Sequence, residues 1–328
     1  MASAFPKKSI DRDRWILDLR PVREKVQADV PYLYFWEEEC GAAGQPEPVA
    51  TLFLSNRECP FRCTMCDLWK HTRLEPTPAG AIPAQIDYAL KSLGPARTVK
   101  LYNSGSFFDP RAIPQADHAA IAVRLSDYDR VIVESHPAFV GMECVAFRDQ
   151  LAGRLEVAMG FETAHPQVLE KLNKQMTLDQ YAAAADFLSR HDIDLRAFIL
   201  VQPPFMRTEE SLHWAERSLE FAFECGATAA TLIPTRGGNG AMEVLAAANE
   251  FSPPRLRVLE DASAHGLDLR HGRVFADLWG IEQRDECGSC FPARVERLAR
   301  MNLWQSLNRA TVCRDCGSSP GGNVEGAL

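Results

Sequence analysis

The sequence predicts an α/β fold, a partial (β/α)6 barrel followed by a C-terminal metal-binding extension. From Val49 onwards, apolar strand-like segments alternate with amphipathic helix-like segments. Such alternation implies parallel strands joined by right-handed crossovers. Cysteines form three tight groups, one directly after the first strand of this pattern and two near the C-terminus. The predicted strands are 50–54, 98–102, 130–134, 156–160, 194–201 and 229–234.

Amphipathic segments between these strands are predicted helices, at 84–93, 113–126, 166–172, 178–191 and 209–225. The segment from Leu178 is rich in helix-forming residues, and Thr177 precedes it as an N-cap. Beyond the barrel we expect a helix at 241–249 and another after Ser252. We therefore divide the chain into an N-terminal extension (1–48), a core barrel (49–235), a C-terminal helical extension (236–317) and a disordered tail (318–328).

The amino-acid composition limits the class of protein to which this chain can belong. The 328 residues are 46% hydrophobic and 24% charged, as in ordinary globular proteins. No apolar run is long enough to cross a membrane, and the N-terminus lacks the apolar core of a secretory signal. Seven of ten cysteines lie in the tight groups, which favours metal ligation in a reducing cytoplasm over disulfides. Cys40, Cys144 and Cys225 stand alone and are interpreted as structural.

The first cysteine group consists of Cys59, Cys63 and Cys66, spaced C-x3-C-x2-C. Three thiolates can hold three irons of a [4Fe–4S] cluster and leave the fourth iron open to a small molecule. Two other interpretations remain at this stage. The cysteines could join His71 in a zinc site, or they could be buried thiols without a metal.

This cysteine spacing, placed after a strand, resembles the signature of the radical S-adenosylmethionine (radical SAM) superfamily. Met65 stands where that superfamily often has an aromatic residue. The resemblance implies a TIM-like radical SAM barrel, a [4Fe–4S] cluster and S-adenosylmethionine bound at the open iron. It also implies reductive cleavage to a 5′-deoxyadenosyl radical, with an electron donor such as a flavodoxin or ferredoxin.

Active sites of parallel barrels lie at the carboxyl ends of the strands. The second strand is followed there by Asn103, Ser104, Gly105 and Ser106, small residues that let the backbone approach a ligand. In radical SAM enzymes a comparable stretch hydrogen-bonds the amino group of the methionine moiety. Glu134 ends the third strand, where it either contacts ribose or substrate or caps the next helix.

The fourth strand ends in Gly-Phe-Glu-Thr, which contributes Glu162 and Thr163. This element resembles the Gly-x-Glu-Ser/Thr segment that meets the cofactor's ribose in elongator-like and methylthiotransferase branches. The fifth strand carries Arg196 among apolar residues. A buried guanidinium requires an anionic partner, either the cofactor's carboxylate or a neighbouring glutamate.

The motifs Cys-Thr-Met-Cys, Tyr-Asn-Ser-Gly-Ser, Val-Glu-Ser-His-Pro, Gly-Phe-Glu-Thr and Gln-Pro-Pro-Phe follow one another in that order. Together they resemble the archaeosine-synthase radical subunit family and its bacterial relatives, over roughly 49–235. Archaeal members act on a lysine-modified deazaguanine in tRNA, which makes a modified tRNA nucleoside the implied substrate. The sequence departs from that family at Gln202, where a Lys is usual, and at Ser252, where an aromatic residue is expected.

The two C-terminal cysteine groups are pairs, and we treat them together as the second group. They are Cys287 with Cys290 and Cys313 with Cys316, in the pattern C-x2-C…C-x2-C with 22 residues between the pairs. Four thiolates satisfy either a tetrahedral zinc ion or an auxiliary [4Fe–4S] cluster. The sequence leaves these two metal centres open, together with a site that holds no metal.

The net charge of −8 excludes a protein that is basic all over. Two local segments carry positive charge, Lys7 to Lys25 and Arg294 to Arg309, and each is either a solvated face or an RNA-binding face. The sequence therefore predicts a radical SAM enzyme without a membrane segment, with tRNA as a further partner. The alternative is a non-catalytic zinc-binding RNA adaptor.

Overall fold

The computed structural model describes residues 5–283 and 286–317, which contain one eight-stranded sheet. The strands follow one another across the sheet in chain order. The first pair is antiparallel and every later pair is parallel. The strands are β1 (Leu33–Cys40), β2 (Pro46–Phe53), β3 (Thr98–Tyr102), β4 (Arg130–Ser135), β5 (Arg154–Glu162), β6 (Asp194–Val201), β7 (Ala229–Pro234) and β8 (Arg273–Ala276).

Each parallel crossover carries at least one helix, while the first helix precedes the sheet and the last follows it. The helices are α1 (Ser9–Leu19), α2 (Ala81–Leu90), α3 (His118–Arg124), α4 (Met142–Arg148), α5 (Pro166–Lys171), α6 (Leu178–Arg190), α7 (Ser211–Glu224), α8 (Ala241–Ala247), α9 (Leu256–Leu269) and α10 (Phe291–Trp304). None of the helices in the described ranges combines the length and the apolar character needed to cross a bilayer.

The predicted α/β partial barrel is confirmed, since the sheet curls into a half-barrel and the six predicted strands are β2 to β7. Strands β1 and β8 were missed. They extend the sheet across both boundaries of the predicted core, 48/49 and 235/236. The domain division therefore stays a prediction. The predicted tail, 318–328, lies outside the described residues.

Strand β1 carries two carboxylates into the barrel interior. Glu37 Oε1 accepts a hydrogen bond from Lys100 Nζ at 2.9 Å. Glu39 accepts from Lys100 at 2.6 Å and from Arg196 at 2.7 Å. Burial alone would raise the pKa of Glu39, but the charges of Arg196 and Lys100 hold it well below its usual value. Because charged side chains face inward here, an alternation of apolar and polar residues does not reveal the strand.

Glu156 on β5 joins three further strands through buried ion pairs. Its carboxylate is fully buried and accepts from Arg196 at 2.6 Å and from Arg130 and Arg273 at 3.0 Å each. These arginines lie near the amino ends of β6, β4 and β8. A buried carboxylate is tolerated only when it is paired in this way. The amino end of the barrel is thus filled by charges that neutralise one another.

Helix α10 covers the free edge of strand β8. The side chain of Asn302 accepts from the N–H of Ala276 and donates to its C=O, both at 2.8 Å. Gln305 does the same with Val274, at 2.6 and 2.9 Å. Two carboxamides therefore satisfy the backbone groups that a ninth strand would otherwise take.

We expect Asn302→Ala to lower the free energy of unfolding by about 1–3 kcal/mol, because the substitution leaves a strand N–H and C=O without partners. Urea denaturation followed by far-UV circular dichroism measures the change. Ser306→Ala, an exposed substitution just beyond α10, serves as the control. Equal stability of the two variants would show that the carboxamide contributes nothing at this edge.

Candidate active site and metal centres

The three-cysteine loop follows β2 at the carboxyl edge of the sheet. Glu58 directly precedes Cys59, and its side chain is only 8% exposed. It forms ion pairs with Arg20, at 2.7 Å, and with Arg62, at 3.1 Å. Arg20 comes from the segment after α1. The N-terminal segment therefore fixes the start of the loop through a charge pair that solvent screens little.

The three thiols of this loop lie in a medium that disfavours their charged form. Burial raises the pKa of Cys59 to about 11 and the pKa values of Cys63 and Cys66 to about 12. Thiolates are the metal-binding form, so they need a compensating positive charge in this place. Iron ions supply such charge, and three thiols on one short loop fit a [4Fe–4S] cluster with one open iron.

His71 does not complete a zinc site with these cysteines. Its Nδ1 lies 3.0 Å from a carboxylate oxygen of Glu24, and its ring stacks on Tyr32 at 4.5 Å between centroids. In residues 5–283 and 286–317, a group of at least three His, Cys, Asp or Glu ligand atoms within 4.8 Å of one another is found at the C-terminal cysteines instead. The loop therefore favours a cluster, whose ligands bind different irons, over a single ion.

Glu134 shapes the turn that follows β3. Its Oε2 accepts hydrogen bonds from the backbone N–H groups of Asn103, at 2.8 Å, and Ser104, at 3.0 Å. Burial raises the pKa of Glu134 to about 7, and these N–H groups act in the opposite direction. Ser104 has a left-handed φ of 53°. The structure thus gives Glu134 a role in positioning the turn, which neither sequence interpretation had assigned to it.

The side chain of Asn103 indicates that this turn binds a ligand. It is fully buried, and neither its amide nitrogen nor its oxygen has a partner among the described residues. A Cβ placed on Gly105 would lie 3.4 Å from Cys59 Cβ and 3.8 Å from Asn103 Nδ2, so amide and cysteine are neighbours. An unpaired buried amide is costly. It fits a polar group such as the amino or carboxylate group of the methionine moiety of S-adenosylmethionine.

The other predicted hydroxyl residues make structural hydrogen bonds. Ser104 Oγ lies 3.2 Å from the Tyr32 hydroxyl, and Ser106 Oγ accepts from the backbone N–H of His136 at 2.9 Å. Thr163 Oγ1 accepts from the N–H of His165 at 3.1 Å. These bonds tie the turn after β3 to the neighbouring segments and fix the start of the segment after β5.

Glu162 lies at a bulge in β5 and has a left-handed φ of 74°. Its Oε1 accepts a hydrogen bond from Lys174 Nζ at 2.5 Å. A Cβ on Gly160 would lie 2.6 Å from that oxygen and 3.1 Å from Nζ, so a larger residue there would displace the Glu162–Lys174 pair. Sequence reasoning missed Lys174, because a single lysine after a helix carries no recognisable signal.

Arg196 lies away from the cysteine loop and its charge is already matched. The guanidinium is buried and pairs with Glu39 and Glu156. Of the two partners considered from the sequence, the structure therefore shows the neighbouring glutamate. Arg196 belongs to the filled amino end of the barrel, and we do not include it among the cofactor-binding residues.

An aromatic layer lies on the inner face of the barrel. On β1, β3 and β6 its rings are two residues nearer to the carboxyl end of the barrel than the charged residues. Successive ring centroids are 5.6–6.1 Å apart. The rings are only partly buried or exposed, so this face borders open space. They belong to Trp279, Phe35, Phe53, Tyr102 and Phe198. Aromatic faces of this kind stack on planar rings.

The C-terminal cysteines already form a compact tetrad. The Sγ atoms of Cys287 and Cys313 are 3.9 Å apart, and those of Cys290 and Cys316 are 3.8 Å apart. All four lie within 4.8 Å of one another. Tetrahedral coordination at a Zn–S distance of 2.3 Å places the sulfurs about 3.8 Å apart. The spacing fits one ion, since the thiolates of a cubane cluster bind separate irons and lie further apart.

The arginines at the start of the second basic segment are engaged inside the chain. Arg294 pairs with Glu260 and Glu286 at 2.7 Å each, and Arg297 lies 3.3 Å from Glu260. In the first segment, Arg12 pairs with Glu170 at 2.8 Å. Internal pairing accounts for these charges, which weakens the evidence for an RNA-binding face.

No protein-family model matches this chain. An uncharacterised protein of Methanocaldococcus jannaschii is 25% identical to it over 288 residues, which cover 81% of this chain and 79% of that protein. Archaeosine synthase subunit beta of Methanosarcina acetivorans is 25% identical over 219 residues, which cover 63% of each chain. The chain thus spans less than two thirds of this second relative.

Solved structures similar to this chain include radical S-adenosylmethionine enzymes. The archaeal Elp3 of Methanocaldococcus infernus has a TM-score of 0.48 and 13% identity, over 68% of this chain and 59% of that chain. The motif resemblance agrees with the sequence match to archaeosine synthase subunit beta. Similarity of fold does not define chemistry, which has to be argued from the residues of the site.

Proposed function

We propose that this chain is a radical SAM enzyme, with Cys59, Cys63 and Cys66 holding a [4Fe–4S] cluster. When bound, the cluster supplies the electron that cleaves S-adenosylmethionine to methionine and a 5′-deoxyadenosyl radical. One observation carries the proposal. Three half-buried cysteines lie on one loop at the carboxyl end of the half-barrel, and the first of them, Cys59, neighbours a buried, unpaired amide of Asn103.

The turn after β3 is our proposed binding site for the methionine moiety. Asn103 offers a donor and an acceptor, Gly105 lets the backbone approach, and Glu134 holds the turn in place. We assign to the carboxylate of Glu162, at the end of β5, the role of accepting hydrogen bonds from the ribose hydroxyls of S-adenosylmethionine. An external one-electron donor, such as a flavodoxin or ferredoxin, completes the scheme, and the cysteine usage supports a cytoplasmic location.

For the substrate we propose an organic molecule with a planar ring, of which a modified tRNA nucleoside is the example that the family resemblance supplies. The aromatic layer on the inner face supports this choice. The two departures from the archaeosine-synthase pattern lie together, since Gln202 Nε2 donates to Ser252 O at 2.7 Å and to its Oγ at 2.8 Å. We therefore do not carry over that family's particular reaction.

The adaptor alternative is not favoured. It requires basic residues free to grip RNA, whereas Arg12, Arg294 and Arg297 pair with carboxylates of the same chain. It also offers no reason for a buried amide without a partner beside the first cysteine group.

Replacing Cys59, Cys63 or Cys66 by Ala is expected to abolish 5′-deoxyadenosine formation, because two thiolates cannot hold a site-differentiated cluster. The assay is anaerobic reconstitution with iron and sulfide, reduction by dithionite, and chromatographic detection of 5′-deoxyadenosine. Cys225→Ala, a substitution far from both cysteine groups in the sequence, is the matched control. Normal product formation by any triad variant would refute the assignment.

Glu162→Gln is expected to weaken binding of S-adenosylmethionine about tenfold while iron content stays near that of the wild type. The reason is that an amide accepts hydrogen bonds from ribose less well than a carboxylate does. Equilibrium dialysis of the reconstituted proteins gives the affinity, with Glu209→Gln, an exposed carboxylate, as control. An unchanged affinity places the ribose contact at another residue.

We further propose that the C-terminal tetrad binds one zinc ion. The support is the sulfur spacing, which matches one tetrahedral ion. Cys290 directly precedes α10, so the ion would anchor the helix that covers the edge of β8. Metal sites of this type contribute folding free energy, because the ligands are scattered in the unfolded chain.

Cys313→Ser is expected to lose this ion and to increase amide hydrogen exchange in α10, while the first cluster still assembles. Metal analysis of a variant lacking Cys59, Cys63 and Cys66 identifies the ion. One equivalent of zinc supports the proposal. Four irons with labile sulfide would identify an auxiliary cluster, and absence of metal would refute the assignment of a metal site to the tetrad.

A further inference from the structure

Lys174 is held in a fixed position next to the three-cysteine loop. It follows α5 between Asn173 and Gln175, whose φ angles of 55° and 58° are left-handed. Such angles cost free energy and persist only where the surroundings enforce them. The ring of His136 helps to hold this turn in place, because its Nε2 forms a 2.9 Å hydrogen bond with the backbone oxygen of Lys174.

The segment that carries Lys174 is joined to the cysteine loop itself. The N–H of Thr64 donates to the carbonyl of Leu172 at 2.9 Å. Asn173 Nδ2 donates to the carbonyl of Arg62 at 2.8 Å. Arg62 and Thr64 flank Cys63, so these hydrogen bonds hold the segment that carries Lys174 in a fixed position relative to the cysteine loop.

The ammonium of Lys174 lies in a nearly closed position beside Glu162, whose Oε1 is 2.5 Å from Nζ. Only 12% of the lysine side chain is exposed. A buried ammonium is retained at a cost in stability. The pair therefore places one positive and one negative charge on a segment that is hydrogen-bonded to the residues on both sides of Cys63.

We propose that Lys174 sets the reduction potential of the cluster held by Cys59, Cys63 and Cys66, with Glu162 as the opposing charge. The proposal rests on the proposed function. A cluster gains negative charge when it accepts an electron, so a nearby ammonium stabilises the reduced state more than the oxidised state. A nearby carboxylate has the opposite effect. Net charge around a cluster is among the factors that set its potential.

The test is an electron paramagnetic resonance redox titration of the reconstituted full chain without S-adenosylmethionine. Lys174→Met is expected to shift the reduction equilibrium at least tenfold toward the oxidised cluster, about 59 mV lower for a one-electron couple. Glu162→Gln is expected to shift it in the opposite direction. Lys174→Arg keeps the charge and should stay near the wild-type potential.

Lys171→Met is the matched control, because its ammonium lies over the Phe205 ring, 5.1 Å from the centroid, and outside the pair. Iron and labile sulfide are measured in every variant. Unchanged potentials in Lys174→Met and Glu162→Gln, or shifts of the same sign, overturn the inference. So does loss of iron in Lys174→Met with full iron in Lys174→Arg, which would make Lys174 an assembly residue.

These outcomes separate the inference from the proposed function. A wild-type chain that assembles no cluster overturns both. A wild-type chain that assembles the cluster and forms 5′-deoxyadenosine, while Lys174→Met leaves the potential unchanged, overturns the inference alone.

Discussion

The fully buried carboxylate of Glu156 is the interaction on which the barrel depends. It holds arginines from β4, β6 and β8 at one point, and Arg196 extends the network to Glu39 on β1. Pairs of this kind tolerate little displacement, because a charge that loses its partner in the interior is strongly destabilising. The network joins β5 to β8 and β6 to β1, strands that are not neighbours in the sheet, and so restrains its curvature.

Its consequence is a layered interior. Charges fill the amino end, the aromatic layer follows, and the polar turn after β3 meets the cysteine loop at the carboxyl end. This aromatic layer, whose rings are partly buried or exposed, separates the charges at the amino end of the barrel from the polar groups at the carboxyl end. The pair of Glu162 and Lys174 lies at the carboxyl end, on segments next to the cysteine loop.

Much of this arrangement was predictable from the sequence, and the parts that were not have physical reasons. Strands β2 to β7 are rich in apolar residues and were found, even though Lys100, Glu156 and Arg196 bring charges inside, whereas β1 carries three consecutive carboxylates and β8 has four residues. The three cysteines were found because their spacing is local. The roles of Glu134 and Arg196 depend on partners 30 and 40 positions away in the chain, and no local pattern encodes them. Lys174 reaches the site only through the left-handed turn around it.

The cover that α10 provides for β8 bears on how copies of this chain behave toward one another. An open strand edge is a template on which a second chain can add its own strand, which is a route to aggregation. Asn302 and Gln305 occupy that template with side chains, which pair with the edge but present no further strand to extend it. A change that detached α10 would therefore expose an edge to which another copy of the chain could add a strand.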